Sequence, residues 1–434
     1  ESELAAQGVP FALQLVYRTR PDLQKAFPGF PAQLVLQWWA TQGPSEYPHL
    51  FSTCGITAQA AFSPSARGAN IIGLPRAELG IAEDTRMAAK SLESVKVAFS
   101  VYDAPVPTYS RQSDNSLERH IKPELPYSVN IVYLTAIDTV RMLARKGFDF
   151  LKGRYTICNW QWELPHWPTA LNHCLALPQE IWAPSRYVYE ALEPVSPVPL
   201  HHMPMAVELP PFTRRARAYF NLPEDGFCFL FVYDGFSWTT RKNPQAVIEA
   251  FRLAFPKEKH VRLVVKSMNC DVHPPDYERI LRAAAADKRI LLLNGTFSRS
   301  DTLALFAACD AYVSLHRAEG FGRTIAEAML LGKPVIVSSF SGNLDFCTND
   351  SAYLVQGKEI PVKEGEYLYC DGQYWFDPSV ENAAIHMRQC LNDPAGSAMK
   401  ASRGRETIQN SFSPSIVGWR YAQRLKAMRT VLTL

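Results

Sequence analysis

The stretch CDAYVSLHRAEGFGRTIAEAMLLGKPVIVSSFSGNLDF, residues 309–346, decides how the rest of the chain is read. Ala311–His316 is a short apolar run, partly β-branched, and reads as a buried strand. Gly320 and Gly322 then permit a tight turn and the close approach of a ligand to the backbone. From about Arg323 to Leu331, the residues Ile325, Ala328, Met329 and Leu331 recur at helical spacing, and Gly332 stands where a helix would stop. Strand, glycine turn and helix N-terminus predict an anion site, because unpaired backbone N–H groups and the positive helix end face one point.

Two carboxylates bracket that point, Glu319 in the turn and Glu327 about one turn into the helix. A carboxylate is repelled by a bound diphosphate, so their expected work is to accept hydrogen bonds from sugar hydroxyls. Either glutamate alone reads as an ordinary solvated residue. Together, with Gly320, Phe321 and Gly322 between them, they read as a site.

The pattern E-G-F-G-x-x-x-x-E over 319–327, followed by G-K-P-V-I and S-G-N-L-D-F, resembles the retaining family-4 glycosyltransferases of the GT-B fold. It is most similar to the branch that builds bacterial surface polysaccharides. The resemblance continues upstream through FVYDGFSWTTRKNPQAVIEAFRLAF and NWQWELPHWP…IWAPSRYVYEAL and downstream to FSPSIVG, covering roughly residues 68–434. It implies an α/β architecture of two Rossmann-like parallel-sheet domains facing a cleft. It also implies that Glu327 holds a nucleotide ribose, Glu319 a hydroxyl of the donor sugar and Lys242 the diphosphate, with Arg241 beside it. In the family the acceptor hydroxyl attacks from the face the diphosphate leaves. The leaving phosphate oxygen takes its proton, and configuration is retained without a protein nucleophile.

The chain departs from the family at several positions. Many members carry an arginine where Phe236 stands, so Lys266, ending the strand VRLVV, is expected to supply the missing charge. Arg323-Thr324 replaces a common Leu-Pro, and Tyr133 and Thr135 stand near where a histidine or asparagine is frequent. The donor side is expected to comprise Lys242, Arg241, Lys266, Gly320, Phe321, Gly322, Arg323 and Glu327, with base contacts from the stretch Thr296–Arg299, Thr296 and Phe297 first. The acceptor side is expected to comprise Gly80, Thr135 and Glu163 of WQWELP.

No D-x-D occurs in the sequence, and a metal-bridged diphosphate typically needs such closely spaced carboxylates. No metal and no cofactor are therefore expected, the donor being a GDP- or UDP-linked sugar held by cationic side chains, the Gly320–Gly322 amides and the helix end. Neither G-x-G-x-x-G at the Gly73–Gly80 loop nor Y-x-x-x-K is present, which argues against a nicotinamide-dependent sugar epimerase or reductase.

The chain of 434 residues, 47% hydrophobic and 20% charged, is of ordinary globular composition. A net charge of +3 is too small to argue for nucleic acid, and no apolar run reaches the roughly 18 residues of a membrane span. Nine cysteines stand singly with no C-x-x-C, which predicts a reducing compartment and no zinc site. The protein is expected in the cytoplasm, at or near the inner face of the membrane. The first residue is Glu1 rather than Met, so a piece of a larger transferase with neighbouring domains is expected.

Along the chain, residues 1–66 read as a helical appendage: FALQLVYRTRPDLQKAF and AQLVLQWWATQG are helical, EYPHLFSTCG and FSPSARG loop, and Trp38 and Trp39 packing residues. An acceptor-side domain over 67–205 should hold strands at NIIGLP, VKVAFSVYD, YSVNIVYLT, RYTICNWQW, QEIWAPS and PVPLHHMPMAV. A nucleotide-sugar domain over 206–412 should hold FCFLFVYDG, VRLVVKSMN, RILLLNGTF, DAYVSLH, PVIVSSF and AYLVQ. His201 and His202 read as structural. Residues 413–434 form a terminal helix that, by the resemblance, crosses back to the first half; its Arg420, Arg424, Lys426 and Arg429 read as a solvated face, with contact to an anionic membrane as the second reading. Two functions follow: a retaining, metal-independent transferase moving a mannose-like or glucose-like hexose onto a growing surface glycan or glycolipid, or a catalytically silent module serving as scaffold or chain-length partner in a larger polysaccharide-synthesising protein.

Overall fold

The computed structural model describes residues 11–47, 66–270 and 274–432. Three helices, α1 (Phe11–Arg18), α2 (Pro21–Ala26) and α3 (Ala32–Thr41), and a single helical turn at Gly43–Glu46 open it. The single helix expected over FALQLVYRTRPDLQKAF is broken before Pro21, whose ring fits the first turn of α2 and cannot continue α1. Leu13, Val16, Leu23, Val35, Trp39 and Tyr47 form a small core that meets Ala144 of the first domain, so Trp39 packs as expected. Most of the loop stretches EYPHLFSTCG and FSPSARG, residues 48–55 and 62–65, lies outside the described residues.

The first sheet comprises β1 (Ala66–Gly73), β2 (Phe99–Asp103), β3 (Tyr127–Val132), β4 (Tyr155–Asn159), β5 (Glu180–Ala183) and β6 (Leu200–His202). Their order is β2-β1-β3-β4-β5-β6, all parallel, with α4 (Gly80–Ser94), α5 (Ala136–Lys146) and α6 (Arg186–Leu192) as crossovers. The second comprises β7 (Phe227–Asp234), β8 (Val261–Met268), β9 (Ile290–Asn294), β10 (Ala311–Ser314), β11 (Val335–Ser338) and β12 (Tyr353–Val355), ordered β12-β11-β10-β7-β8-β9 and again parallel. Its crossovers include α7 (Pro244–Ala254), α8 (Pro274–Ala286), α9 (Arg299–Ala308) and α10 (Arg323–Leu330). All twelve strands overlap the stretches where the sequence placed them, but β1 starts early, at Ala66, within the FSPSARG stretch read as loop. Strands such as β7 and β10 read as unbroken apolar runs because helices cover both faces. Thr135, Ser185 and Ser298 start α5, α6 and α9 by accepting a backbone N–H three residues on.

Chain order reverses between β1 and β3 in the first sheet and between β7 and β10 in the second. At such switch points the loops diverge beyond the strand ends and leave a crevice. Ion pairs of Asp84 and Glu83 in α4, the helix after β1, with Arg323 and Arg299 at the starts of α10 and α9 set the two crevices against each other, and the site is built there.

Beyond β12 the chain makes an antiparallel hairpin, β13 (Gly357–Pro361) with β14 (Tyr374–Pro378), which the sequence did not announce. Val362 and Trp375 pack among Trp160, Trp162, Leu164 and Trp167, so the hairpin leaves its own domain and docks on the other. Two more helices, α11 (Val380–Asn392) and α12 (Pro394–Ser411), precede α13 (Pro414–Leu432).

Helix α13 does cross back. Val417, Tyr421, Leu425 and Met428 share a core with Met87, Leu92 and Ile131, and a Cβ on Gly418 would stand 2.1 Å from the Ser91 carbonyl oxygen, so only glycine allows this crossing. One expectation is corrected here. Arg424 is not part of a solvated face: its guanidinium donates to both oxygens of Glu180, at 2.9 and 2.6 Å, and that carboxylate is fully buried. The Arg429 side chain lies outside the described residues. Removing one partner of a buried pair strands the other, so Arg424→Met is expected to cost about 3 kcal/mol, read as a lower urea midpoint. A parental midpoint would show that Trp182 Nε1 and the Tyr155 hydroxyl, which also donate to Glu180, suffice.

Candidate active site

The loops after β7 and β10 meet at the second switch point. After β7, residues Thr239–Lys242 form a single helical turn; after β10, Leu315–Gly322 form the glycine turn. The two are tied by main chain, Arg317 N to the Arg241 carbonyl at 2.8 Å. Across this tie Lys242 Nζ donates to Glu319 Oε1, while Arg241 Nη1 lies 3.4 Å from Glu319 Oε2 and donates to the Ala318 carbonyl at 2.8 Å. Burial alone would raise the Glu319 carboxyl, but Lys242, Arg241 and His316 outweigh it and hold it at about 2. Two cations face one carboxylate. Burial of that excess positive charge pulls the Lys242 ammonium below its ordinary value despite its partner.

The S-G-N block explains itself as bracing for this turn. Ser341 Oγ accepts the Glu319 N–H at 2.9 Å, and Gly342 N donates to the Glu319 carbonyl at 2.9 Å. A Cβ on Gly342 would lie 2.2 Å from the Gly320 oxygen. Asn343 Oδ1 meets His316 Nε2 at 3.0 Å beneath the turn, and burial holds that imidazole below its ordinary value.

Glu327 lies in α10, 2% exposed, and receives Arg299 as a fork: Nη1 at 3.0 Å from Oε2 and Nη2 at 2.6 Å from Oε1. Arg299 also stands 4.0 Å from Glu83 of α4, so a charge row crosses between the halves. Arg323, first residue of α10, pairs with Asp84 and donates to the Ala206 carbonyl at 3.2 Å. Of the expected donor residues, Lys242, Arg241, Glu319 and the turn come together, Glu327 with Arg299 beside them.

The others are placed as follows. Gly320 does not make room for a ligand: a Cβ there would meet Gln161 Oε1 at 2.9 Å and the Trp162 carbonyl at 3.2 Å, so the close approach is to the first domain. Gly322 does need its glycine, at φ +93°. Phe321 is a core residue whose ring packs on Phe346 and Phe412, which leaves only its backbone for a donor. Thr135 caps α5, its Oγ1 accepting Asp138 N at 3.0 Å and donating to Asp138 Oδ2 at 2.8 Å. Gly80 begins α4 in the open, with nothing near an added Cβ. Thr296 is exposed, and Phe297 lies 4.4 Å below the Lys266 ammonium. Glu163 is tied across the halves rather than within its own, accepting the Tyr367 hydroxyl at 2.7 Å.

Lys266 is 3% exposed, and its ammonium donates to the Ser267 and Gly295 carbonyls. Burial pulls it down to about 8 from 10.5, Cys270 and Asp234 opposing. The unfolded chain therefore holds this proton more tightly, and the folded state bears the cost in full below pH 8. The cost disappears as pH rises from 8 to 10.5. Lys266→Met is expected to gain about 1–2 kcal/mol at pH 7, with the gain fading over that window in urea unfolding. A gain that persists at pH 10.5 would point to packing instead.

Sequence reasoning did not single out Asp84, Trp238 or Tyr367, and it reached Arg299 only as the end of the Thr296–Arg299 stretch expected to contact the base; the structure sets it on Glu327 instead. The serine-capped start of α9 marks Arg299 as a helix N-terminal residue, but nothing in the pattern aims it at Glu327. Among the described residues no group of three or more His, Cys, Asp or Glu side chains is placed to hold a metal ion, and no helix is long and apolar enough to cross a membrane.

No curated protein sequence matches the chain. Solved structures match it with low identity and good coverage. Anabaena HepE, in complex with UDP and glucose, is 15% identical with a TM-score of 0.62, over 83% of this chain and 100% of that one. Sucrose-phosphate synthase from Thermosynechococcus elongatus is 14% identical, TM-score 0.61, over 84% and 100%. A glycosyltransferase from Rickettsia africae is 15% identical, TM-score 0.60, over 83% and 98%. Residues 214–361, the segment that carries Lys242, Glu319 and Glu327, match the family model of glycosyl transferases group 1, set within a chain whose fold is GT-B.

Proposed function

We propose that this chain is a retaining glycosyltransferase that moves a glucose-like or mannose-like hexose from a UDP- or GDP-linked donor to a growing surface glycan, without a metal ion. The observation that carries the reading is the pair of buried cations, Lys242 and Arg241, set on Glu319 at the switch point. Their excess positive charge, with the N-terminus of α10, suits a diphosphate that gains charge as its bond to the sugar breaks. Arg241 takes the part expected of Lys266. Glu319 keeps lone pairs for a donor-sugar hydroxyl, and Glu327 for a ribose hydroxyl. The departing phosphate oxygen receives the acceptor proton, and no protein nucleophile is required. HepE complexes with UDP and UDP-glucose make UDP the first nucleotide to try. The eight free thiols among the described residues support a reducing, cytoplasmic setting.

The test is calorimetric titration with UDP, GDP and ADP in the presence of a chelator. One nucleotide is expected to bind the parent, and Lys242→Ala is expected to weaken it about 100-fold, or about 2.7 kcal/mol. If none binds, the silent scaffold module becomes the better account.

A further inference from the structure

Where the two halves meet on the acceptor side, the structure assembles an aromatic ring and a carboxylate that the donor reading does not use. Trp238 opens the turn that ends in Lys242, and its carbonyl accepts the N–H of Arg241 at 3.0 Å and of Lys242 at 3.1 Å. Its backbone stands at φ +63°, ψ +102°, where a bulky residue sits only under constraint, at roughly 1–3 kcal/mol. Glycine would offer the same carbonyl without that strain, so the turn itself does not call for the indole. The ring is half-buried and lies 5.5 Å from that of Tyr367, tilted by 56°.

Tyr367 comes from the loop of the hairpin β13–β14. Gln373 fastens that hairpin to the main chain of His166, donating to its carbonyl at 2.8 Å and accepting its N–H at 3.2 Å. Trp375 is buried in the first domain's core. Thus a segment of the second half is seated rigidly on the first, three residues from Glu163, and its Tyr367 hydroxyl donates to Glu163 Oε2 at 2.7 Å. Glu163 in turn contributes to the field around Arg241 and Lys242.

We propose that Trp238, Glu163 and Tyr367 form a saccharide subsite that takes a neutral sugar ring of the acceptor glycan. The C–H face of the pyranose lies on the indole, and one of its hydroxyls donates to the Glu163 carboxylate. Tyr367 is the positioning residue: by holding one carboxylate oxygen it fixes the direction of the other. A carboxylate here disfavours uronic or sialic acids, so the sugar is a hexose or N-acetylhexosamine. Glu163 stands on the first domain and Trp238 on the second, four residues before Lys242, so the subsite lies at the seam beside the donor cations, where an acceptor hydroxyl has to arrive to reach the donor. This inference rests on the glycosyltransferase reading.

The experiment uses an array of immobilised neutral oligosaccharides ending in glucose, galactose, mannose or N-acetylglucosamine, with UDP and GDP titrated in parallel. The parent is expected to be captured by at least one. Tyr367→Phe is expected to weaken capture about 5–10-fold and Trp238→Leu about 10-fold or more, with Trp238→Phe recovering part of the loss. Tyr367→Phe should keep parental nucleotide affinity and melting temperature, which separates a positioning role from a folding defect. Failure of the parent to be captured, or equal capture of Tyr367→Phe and Trp238→Leu, overturns the subsite. Saccharide capture without nucleotide binding would count against the transferase reading alone.

Discussion

Glu319→Gln is expected to lower transfer by about 100–1,000-fold and to cost about 3 kcal/mol of stability at pH 7. The substitution keeps the shape of the side chain but leaves Lys242 and Arg241, both shielded from water, without their counter-charge. The parental carboxyl sits at about 2 rather than 4.5, which by linkage is worth about 3 kcal/mol. The sign follows from the direction of the shift. A depressed carboxyl contributes its stability in full above pH 4.5, and that contribution is lost as pH falls through the folded value near 2. Parent and variant should therefore differ at pH 7 and converge between pH 4.5 and 2. Urea unfolding across that range checks it. A constant offset at every pH would mean that the amide disturbs the turn braced by Ser341 and Gly342 rather than the charge balance.

The twelve parallel strands were legible because a strand covered on both faces must be apolar throughout, and such runs stand out between helical segments. The switch points were not, since strand order is a property of packing and not of local pattern. The hairpin β13–β14 escaped for a related reason. GKEIP and YWFDP are short and interrupted by charge, and Trp375 finds its partners only on the other domain. Arg424 was misread because a basic residue on a terminal helix is usually solvated; what buries it is Glu180 at the base of β5, 244 residues away in the chain.

In the site, spacing was sufficient to bring Lys242, Glu319 and Glu327 to attention, because a turn and a helix fix their local geometry. It was insufficient for residues whose role depends on a partner from another element. Gly320 illustrates the limit. Its glycine is required, but by the Trp162 main chain rather than by a ligand, and no local pattern distinguishes those demands. Lys266 shows the same at the end of a strand, where its ammonium turns onto the carbonyls of Ser267 and Gly295.

Glu327→Ala is expected to weaken UDP or GDP about 100-fold while leaving inorganic pyrophosphate affinity unchanged. In the proposed reading Glu327 acts on the ribose and Lys242 on the diphosphate, so the two losses should be separable by probe. The fork from Arg299 occupies one lone pair on each oxygen of Glu327 and leaves the others to accept ribose hydroxyls from a fixed direction. Alanine removes the acceptor and frees Arg299 toward Glu83, already 4.0 Å away, which limits the cost in folding. The parent should accordingly discriminate against the 2′,3′-dideoxy form of its nucleotide, and Glu327→Ala should bind both forms alike. That convergence is the decisive reading, because a general collapse of the pocket would weaken pyrophosphate as well and leave the preference for ribose in place. If pyrophosphate binding falls together with the nucleotide, then Glu327 acts through Arg299 on the phosphates, and the ribose must be held elsewhere.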